Sequence, residues 1–306
     1  MPEIFQYEFM NRAIIASILV GATAPAFGVY LVLRRLSLMA DTLSHVALAG
    51  VAIALLTKMF APVVALVATT GAAVSIEELR MRRLLPGDAA LAVFLYGALA
   101  VAVVLISIAE GFNSTLFSYL FGSVLTVSVT DLWWMGTLAI VIVLFLLMFG
   151  SELAQVTFDP DLARINGVRV HLLNLGLAVL TGATITVSMR VVGVLLVGAL
   201  IVIPVLVSLR ITSGLTRTVL SSSVIGIFVA VTGMTIAFYA DLAPGGSVVL
   251  TAIGMLVLVE AGAFTRRLGE RSNHRRGAGL PPHAHSHESH AHRSADDTSA
   301  GTPSHR

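Results

Sequence analysis

Long apolar stretches alternate with short polar ones along most of this chain. A helix needs about 20 largely apolar residues to cross a hydrocarbon layer of about 30 Å. Stretches of about this length occur at 12–33, 38–57, 61–76, 88–109, 132–149, 172–189, 191–209, 219–239 and 247–264. The pattern predicts an all-α integral membrane protein, a polytopic bundle of about eight or nine transmembrane helices, because a bent or re-entrant segment would lower the count.

The composition supports a membrane protein and excludes several soluble classes. Hydrophobic residues make up 57% of the chain and charged residues 12%, with a mean hydropathy of +0.92. A soluble globular protein is roughly 45–50% apolar and about 25% charged. These values exclude an ordinary soluble enzyme, a disordered regulator and a nucleic-acid binder, and they make the lipid bilayer the expected surroundings. The 306 residues contain no cysteine, which excludes disulfides and thiolate metal sites.

The basic residues predict the orientation of the spans. Cytoplasmic loops of membrane proteins concentrate Lys and Arg. With an external N-terminus, nine alternating spans place all but three of the 19 basic residues on the cytoplasmic side, and the exceptions are Arg12, Lys58 and Arg190. The chain is therefore expected in the cell membrane as a multi-pass protein with a cytoplasmic C-terminus.

The single lysine, Lys58, bears on the energy source. A nucleotide-binding P-loop requires a Gly-rich turn followed by Lys and Ser or Thr, which hold the phosphates. Lys58 is flanked by Thr57 and Met59 and has no such loop before it. If ATP drives this protein, another chain must bind it.

The composition changes abruptly near residue 268. The last segment is polar and rich in Gly, Pro and Ser, so it cannot bury enough apolar surface to fold alone. We therefore divide the chain into a membrane domain, 1–267, and a disordered, His-rich cytoplasmic tail, 268–306. Alternating imidazoles on such a tail bind zinc with little preorganisation, and a solvated tail without a role is the alternative. The candidate metal ligands in the tail are His283, His285, His287, His290 and His292.

Two ionisable residues, Asp41 and His45, lie within the second predicted span. Their spacing places them on one face of a helix. Ionisable groups within a span rarely face lipid and usually mark a pathway or a site. A carboxylate oxygen and an imidazole nitrogen suit divalent zinc, manganese or iron. The alternative is structural: Asp41 caps the helix and His45 hydrogen-bonds to Asp41 or to a neighbouring helix.

A polar interruption at 157–176 contains a predicted short helix. Pro160 is suited to the first turn of a helix, with acidic Asp159 and Asp161 on either side of it. Gly167 is a typical helix stop. Such a helix, lying across the cytoplasmic face of the bilayer, suits the docking of a soluble partner, and a plain connecting loop is the alternative.

Small residues and prolines mark the later spans. Gly193 and Gly198 permit close helix contacts, and Pro204 interrupts a hydrogen-bond ladder. The segment 244–246, Pro-Gly-Gly, predicts an external reversal or a broken helix. Packing and turn formation are favoured here over contact with a substrate.

Together these segments resemble the permease subunits of the zinc/manganese/iron ABC importers, the ZnuB/MntB/TroC-like family. The segment MADTLSHVALAGVAIA resembles the family's early motif G-D-x-x-x-H-x-x-L-x-G-V. Later blocks follow in the family's order: LFGSVLTVSVTDLWW, FDPDLARINGVRV, VVGVLLVGALIVIP and APGGSVVL. The resemblance spans 12–264. Ala40 replaces the usual Gly and Ala49 replaces a common Pro, and neither change removes Asp41 or His45.

The resemblance implies a membrane permease that is not itself an enzyme and has no permanent cofactor. Its partners would be a second copy of itself, cytoplasmic ATPase subunits and an extracytoplasmic metal-binding protein. Asp41 and His45 become the favoured pathway ligands, and Asp241 and Pro244 lie near the external mouth. The segment seated on the ATPase would hold the coupling residues Asp159, Pro160, Asp161, Ala163, Arg164 and Gly167.

One hypothesis concerns the number of ligands. With no cysteine, one subunit offers few residues for a four-coordinate zinc site. A two-fold axis along the pore would bring together two copies of Asp41 and two of His45. We expect this set of four to form a transient metal site between two chains.

Several alternatives stay open at this level. An ATP-independent cation carrier, a membrane scaffold that senses metal through the tail, and an iron–siderophore permease are rival functions. Asp and His accommodate zinc and manganese equally well, and only the tail histidines favour zinc. The alternation of spans also places Asp41 near the cytoplasmic end of its helix, whereas transporter sites usually lie near the midplane.

Overall fold

The computed structural model describes residues 7–82, 87–108, 114–123 and 127–277. Within these residues the chain forms eleven α-helices and no strand. They are α1 Glu8–Leu33, α2 Ser37–Thr57, α3 Ala61–Met81, α4 Gly87–Ile108, α5 Ser114–Phe121, α6 Val129–Phe158, α7 Pro160–Ile165, α8 Val170–Ser188, α9 Val194–Ile211, α10 Leu215–Ala240 and α11 Pro244–Gly277.

The predicted helical membrane fold is confirmed. In the described part of the chain, eight helices are long and apolar enough to cross a membrane. The remaining predicted span, at 191–209, corresponds to α9, which provides a shorter apolar stretch, Leu196–Ile211. Helix α6 is longer than the predicted span at 132–149, because helical turns with polar residues extend the apolar segment at both ends.

The boundary of the predicted tail falls inside α11. This helix continues through 268 and ends at Gly277. The remaining residues, 278–306, lie outside the described residues, and the five candidate tail ligands lie among them.

Helix packing depends on glycines that let backbones approach closely. Gly21 of α1 lies so near α10 that an added Cβ would be 2.6 Å from the carbonyl oxygen of Gly226. In the same way, a Cβ added to Gly50 of α2 would be 2.7 Å from the Cα of Ala65 in α3. Small residues at helix crossings are the usual means of close packing in membranes, where lipid chains supply no hydrophobic driving force.

A second group of glycines, Gly122, Gly193 and Gly245, forms what we call the glycine cluster. It joins the end of α5, the α8–α9 turn and the start of α11. Gly122 and Gly193 have φ of +78° and +88°, a region that side chains rarely adopt. A Cβ on Gly245 would overlap the carbonyl oxygen of Val192. The Pro-Gly-Gly segment therefore starts a helix and packs against a turn.

Replacing Gly245 by Ala is expected to lower the free energy of unfolding by about 1–3 kcal/mol, since the methyl group has no space. The matched control is Gly246→Ala, because a Cβ at the adjacent position meets no atom within 4 Å. Thermal unfolding of both variants in detergent measures the difference. Equal unfolding temperatures would contradict the close contact.

Candidate functional site

Asp41 and His45 lie one helical turn apart on α2, as their spacing predicts. In the single chain Asp41 is exposed and His45 is half-buried. The Nδ1 atom of His45 is buried and has no hydrogen-bond partner among the described residues. The pair therefore presents a carboxylate and an imidazole nitrogen on one face of the helix.

Asp41 does not cap α2. The helix begins at Ser37, and its N-cap residue is Leu36, without a side-chain hydrogen bond. Within the described part of the chain no ion pair joins Asp41 to a basic side chain. The carboxylate is thus available for a ligand.

The neighbour of Asp41 on another helix is Gly198 of α9. A Cβ on Gly198 would lie 3.3 Å from Asp41 Oδ1. Asp41 is about 6 Å along α2 from its start, and Gly198 is about 6 Å along α9 from its start at Val194. The first turns of α2 therefore pack beside the first turns of α9.

One chain does not complete a metal site from its described residues. No group of three or more His, Asp or Glu side chains in these residues could hold a metal ion. Asp41 and His45 would supply two ligands, whereas zinc sites contain at least three protein ligands. A zinc site that used this pair would need further ligands from outside the described part of this chain.

The predicted short helix in the 157–176 segment is confirmed as α7. Asp159 is its N-cap and accepts hydrogen bonds from the backbone N–H groups of Asp161 and Leu162, both at 3.0 Å. Gly167, at φ +81°, ends it in a Schellman motif, in which Val168 N–H donates to the carbonyl of Ala163 at 3.0 Å. Both ends of the helix are thus fixed by local hydrogen bonds.

Helix α7 has one buried and one exposed face. Ala163 is fully buried against the bundle, and Arg164 forms an exposed ion pair with Asp161 at 2.8 Å. Leu162 and Ile165 are 54% and 81% exposed, and Phe158, at the end of α6, is 73% exposed. We call Phe158, Leu162 and Ile165 the α7 apolar patch.

Asp241 and Pro244 lie at the other end of the bundle from α7. Asp241 is the C-cap of α10 in the left-handed region, with φ +53°. Pro244 begins α11 beside the glycine cluster. The length of α8 separates this end of the bundle from α7. Asp241 and Pro244 therefore do not contact the predicted coupling residues.

An ion pair near the glycine cluster was not predicted from the sequence. Arg190 Nη1 donates to both carboxylate oxygens of Asp131, at 2.6 and 2.7 Å. Asp131 also accepts from Ser128 in a capping box that begins α6, and the Arg190 guanidinium lies 5.9 Å from the ring of Tyr119. Burial disfavours the cation, but hydrogen bonding and charge from Asp131 outweigh it and raise the pKa of Arg190.

This ion pair explains why one basic residue, Arg190, lies outside the predicted cytoplasmic loops. Arg190 was the exception on the α8–α9 turn, and its position there was the signal that a partner carboxylate exists. Arg12, another exception, is paired with Glu8.

Replacing Asp131 by Asn is expected to lower the free energy of unfolding by about 1–3 kcal/mol, because Arg190 stays half-buried without a counter-charge. Thermal unfolding measures this loss. The double variant Asp131→Asn/Arg190→Met should recover part of it, since no cation is then left unpaired. An unchanged unfolding temperature in Asp131→Asn would show that the pair contributes little.

Comparison with known proteins identifies related membrane subunits. The model of a family described as the ABC 3 transport family matches residues 6–262. The manganese transport system membrane protein MntC of Listeria monocytogenes is 30% identical over 249 residues, which cover 81% of this chain and 89% of that protein. The high-affinity zinc uptake system membrane protein ZnuB of Haemophilus influenzae is 27% identical over 252 residues, covering 82% and 97%. The solved structure of PsaBC from Streptococcus pneumoniae in complex with Fab matches with a TM-score of 0.75 and 29% identity, covering 84% and 92%.

Proposed function

We propose that this chain imports divalent metal ions by alternating access, with zinc favoured over manganese or iron. The chain belongs to the ABC 3 transport family. It is a multi-pass metal-transport permease subunit rather than an enzyme. The observation that carries this proposal is the exposed Asp41 beside the unpartnered His45 on one face of α2. ATP-dependent uptake of radiolabelled metal into proteoliposomes tests it.

The proposed metal site lies between two copies of the chain. Asp41 and His45 from each copy supply two oxygen and two nitrogen ligands around a two-fold axis, a set that suits zinc. Two observations support sharing: the described residues of one chain hold no group of three ligands, and Asp41 is exposed in the single chain. The ligands must bind loosely, because a site that retains the ion would slow transport.

The preference for zinc is a finer proposal than the family allows. The relatives include proteins named for manganese and for zinc. The preference rests on the imidazole ligands and on the histidines of the segment at 283–292, since imidazole binds zinc well.

The α7 apolar patch is the proposed docking site for the ATPase. Covering one exposed Leu, Ile or Phe contributes about 1.5–3 kcal/mol to association. Helix α7 is rigid enough to transmit a movement, because it is capped at both ends and its Ala163 is packed against the bundle. We assign the end that carries α7 to the cytoplasm, in keeping with its arginines.

The proposed transport cycle begins at the other end, near Asp241 and Pro244. A metal-binding protein docks there and releases the ion between the two copies of the chain. ATP binding and hydrolysis in the partner then move α7 and change the side to which the Asp41–His45 site is open. Family membership favours this cycle over an ATP-independent carrier or a sensor without flux.

Removing residues 278–306 is expected to leave the rate of ATP-dependent uptake at saturating zinc unchanged. The tail histidines would receive or buffer metal but contribute no ligand to the pathway. Zinc bound per chain at equilibrium should fall in the truncated protein, as measured by elemental analysis after dialysis. A truncated protein that no longer transports zinc would place the tail within the pathway.

A further inference from the structure

A basic cavity lies at the end of the bundle that carries α7. Its volume is about 330 Å³. Arg34 and Arg35, from the turn between α1 and α2, line it together with Arg80, near the end of α3. Thr157 and Asn174 complete its polar wall, beside the first residue of α7.

Two buried guanidinium nitrogens at this cavity have no acceptor among the described residues. Arg34 donates through Nε to Thr157 at 3.0 Å and through Nη1 to Asn174 at 2.5 Å, but its Nη2 is buried and unpartnered. Arg80 donates through Nη1 to Glu77 at 2.9 Å, and its buried Nε is unpartnered. Buried donors without an acceptor are costly, so these atoms indicate a missing acceptor.

The charges around the cavity are also unbalanced. Glu77 is 3% exposed and pairs with Arg80. The neighbouring Glu78 pairs with Arg82 at 2.7 Å and lies 3.7 Å from His171, so it is engaged outside the cavity. Burial lowers the pKa of Arg34 to about 10, and Glu77 opposes this only in part. Arg34 is still a cation at neutral pH, and Glu77 is shared between Arg34 and Arg80.

Arg35 occupies a position that normally favours glycine. It follows the end of α1 with φ +60°, and Leu36 N–H donates to the carbonyl of Leu31 at 2.8 Å in a Schellman motif. An arginine there is strained, yet the residue is one of those that line the cavity. The strained residue thus adds the third positive charge.

We propose that this cavity binds a phosphate oxyanion, supplied by the head group of an anionic phospholipid. Guanidinium groups match the geometry of phosphate oxygens and form charge-assisted hydrogen bonds with them. The cavity lies where α1, α3 and α6 end and where α2 and α7 begin. Basic pockets between transmembrane helices are suited to anionic head groups. A bound phosphate would join the α1–α2 turn to the junction of α6 and α7. The site is independent of the transported metal.

The test uses the full chain in nanodiscs of phosphatidylcholine, with or without phosphatidylglycerol. Native mass spectrometry should find phosphatidylglycerol retained by the wild type, and Arg35→Gly should weaken this retention about five- to tenfold. The glycine also relieves the strained backbone, so the unfolding temperature without anionic lipid should be unchanged or higher. The matched control is Arg82→Gln at the same end of the bundle, which removes an exposed charge outside the cavity and should retain the lipid.

A second arm separates the sources of phosphate. Inorganic phosphate is added to phosphatidylcholine nanodiscs, and a rise in unfolding temperature that requires Arg35 would support phosphate binding from solution. Equal retention and equal unfolding temperatures in wild type and Arg35→Gly with both ligands would overturn the proposal. A dependence on Arg35 seen only after the ATPase subunit is added would also overturn it, because the occupant would then be a protein carboxylate.

Discussion

Replacing Asp41 or His45 by Ala is expected to lower ATP-dependent zinc uptake at least about 100-fold, since changes even to residues around metal ligands cost 10–100-fold. In the proposed site between two copies of the chain, each substitution would remove two of the four ligands, because both copies would carry it. Neither substitution is expected to disturb the fold, since Asp41 is exposed and His45 makes no hydrogen bond through Nδ1. Uptake into proteoliposomes that contain the ATPase and the binding protein measures the loss.

The control for these variants is His171→Ala. His171 lies on α8 near Glu78, at 3.7 Å, and outside the proposed pathway. Uptake by the His171→Ala variant should match uptake by the wild type.

A binding experiment tests the same two residues. In a protein without residues 278–306, zinc binding at one ion per two chains should disappear in the double variant Asp41→Ala/His45→Ala. Retained binding there would place the metal site elsewhere.

Replacing Ile165 by Asp is expected to weaken association with the ATPase at least about tenfold, as for a residue at the centre of an interface. Ile165 is 81% exposed, so its substitution leaves the bundle intact while it places a charge within the α7 apolar patch. Burying that unpaired charge against a partner is unfavourable. Co-purification and zinc-stimulated ATP hydrolysis both measure the effect.

Two comparisons distinguish docking from a loss of folding. Ile165→Leu keeps the apolar surface and should preserve the complex. The unfolding temperature of Ile165→Asp alone should equal that of the wild type. If Ile165→Asp binds the ATPase with unchanged affinity, α7 does not carry the contact.

The features that depend on residues close together in the chain could be predicted from the sequence. Apolar length is a local property, so the spans and their order followed from the pattern. The helix at 160–165 followed from Pro160 and Gly167, whose backbone preferences mark a start and a stop. The shared face of Asp41 and His45 followed from helical spacing alone.

Contacts between distant segments did not follow from the pattern. The packing of Asp41 beside Gly198 joins α2 to α9, and the pairing of Arg190 with Asp131 joins the α8–α9 turn to α6. The cavity at Arg34 joins a turn, the end of α3 and the junction of α6 and α7. Each arrangement arises from helix packing, and a single sequence contains no periodic signal for it.

We propose above all that this chain carries out the ATP-driven import of a divalent metal ion. Its most direct test is uptake of radiolabelled zinc and manganese, side by side, into proteoliposomes that contain the chain, its ATPase and its binding protein. We expect accumulation that requires ATP and is faster for zinc than for manganese. If an intact complex accumulates neither metal when ATP is supplied, that result would contradict the proposal.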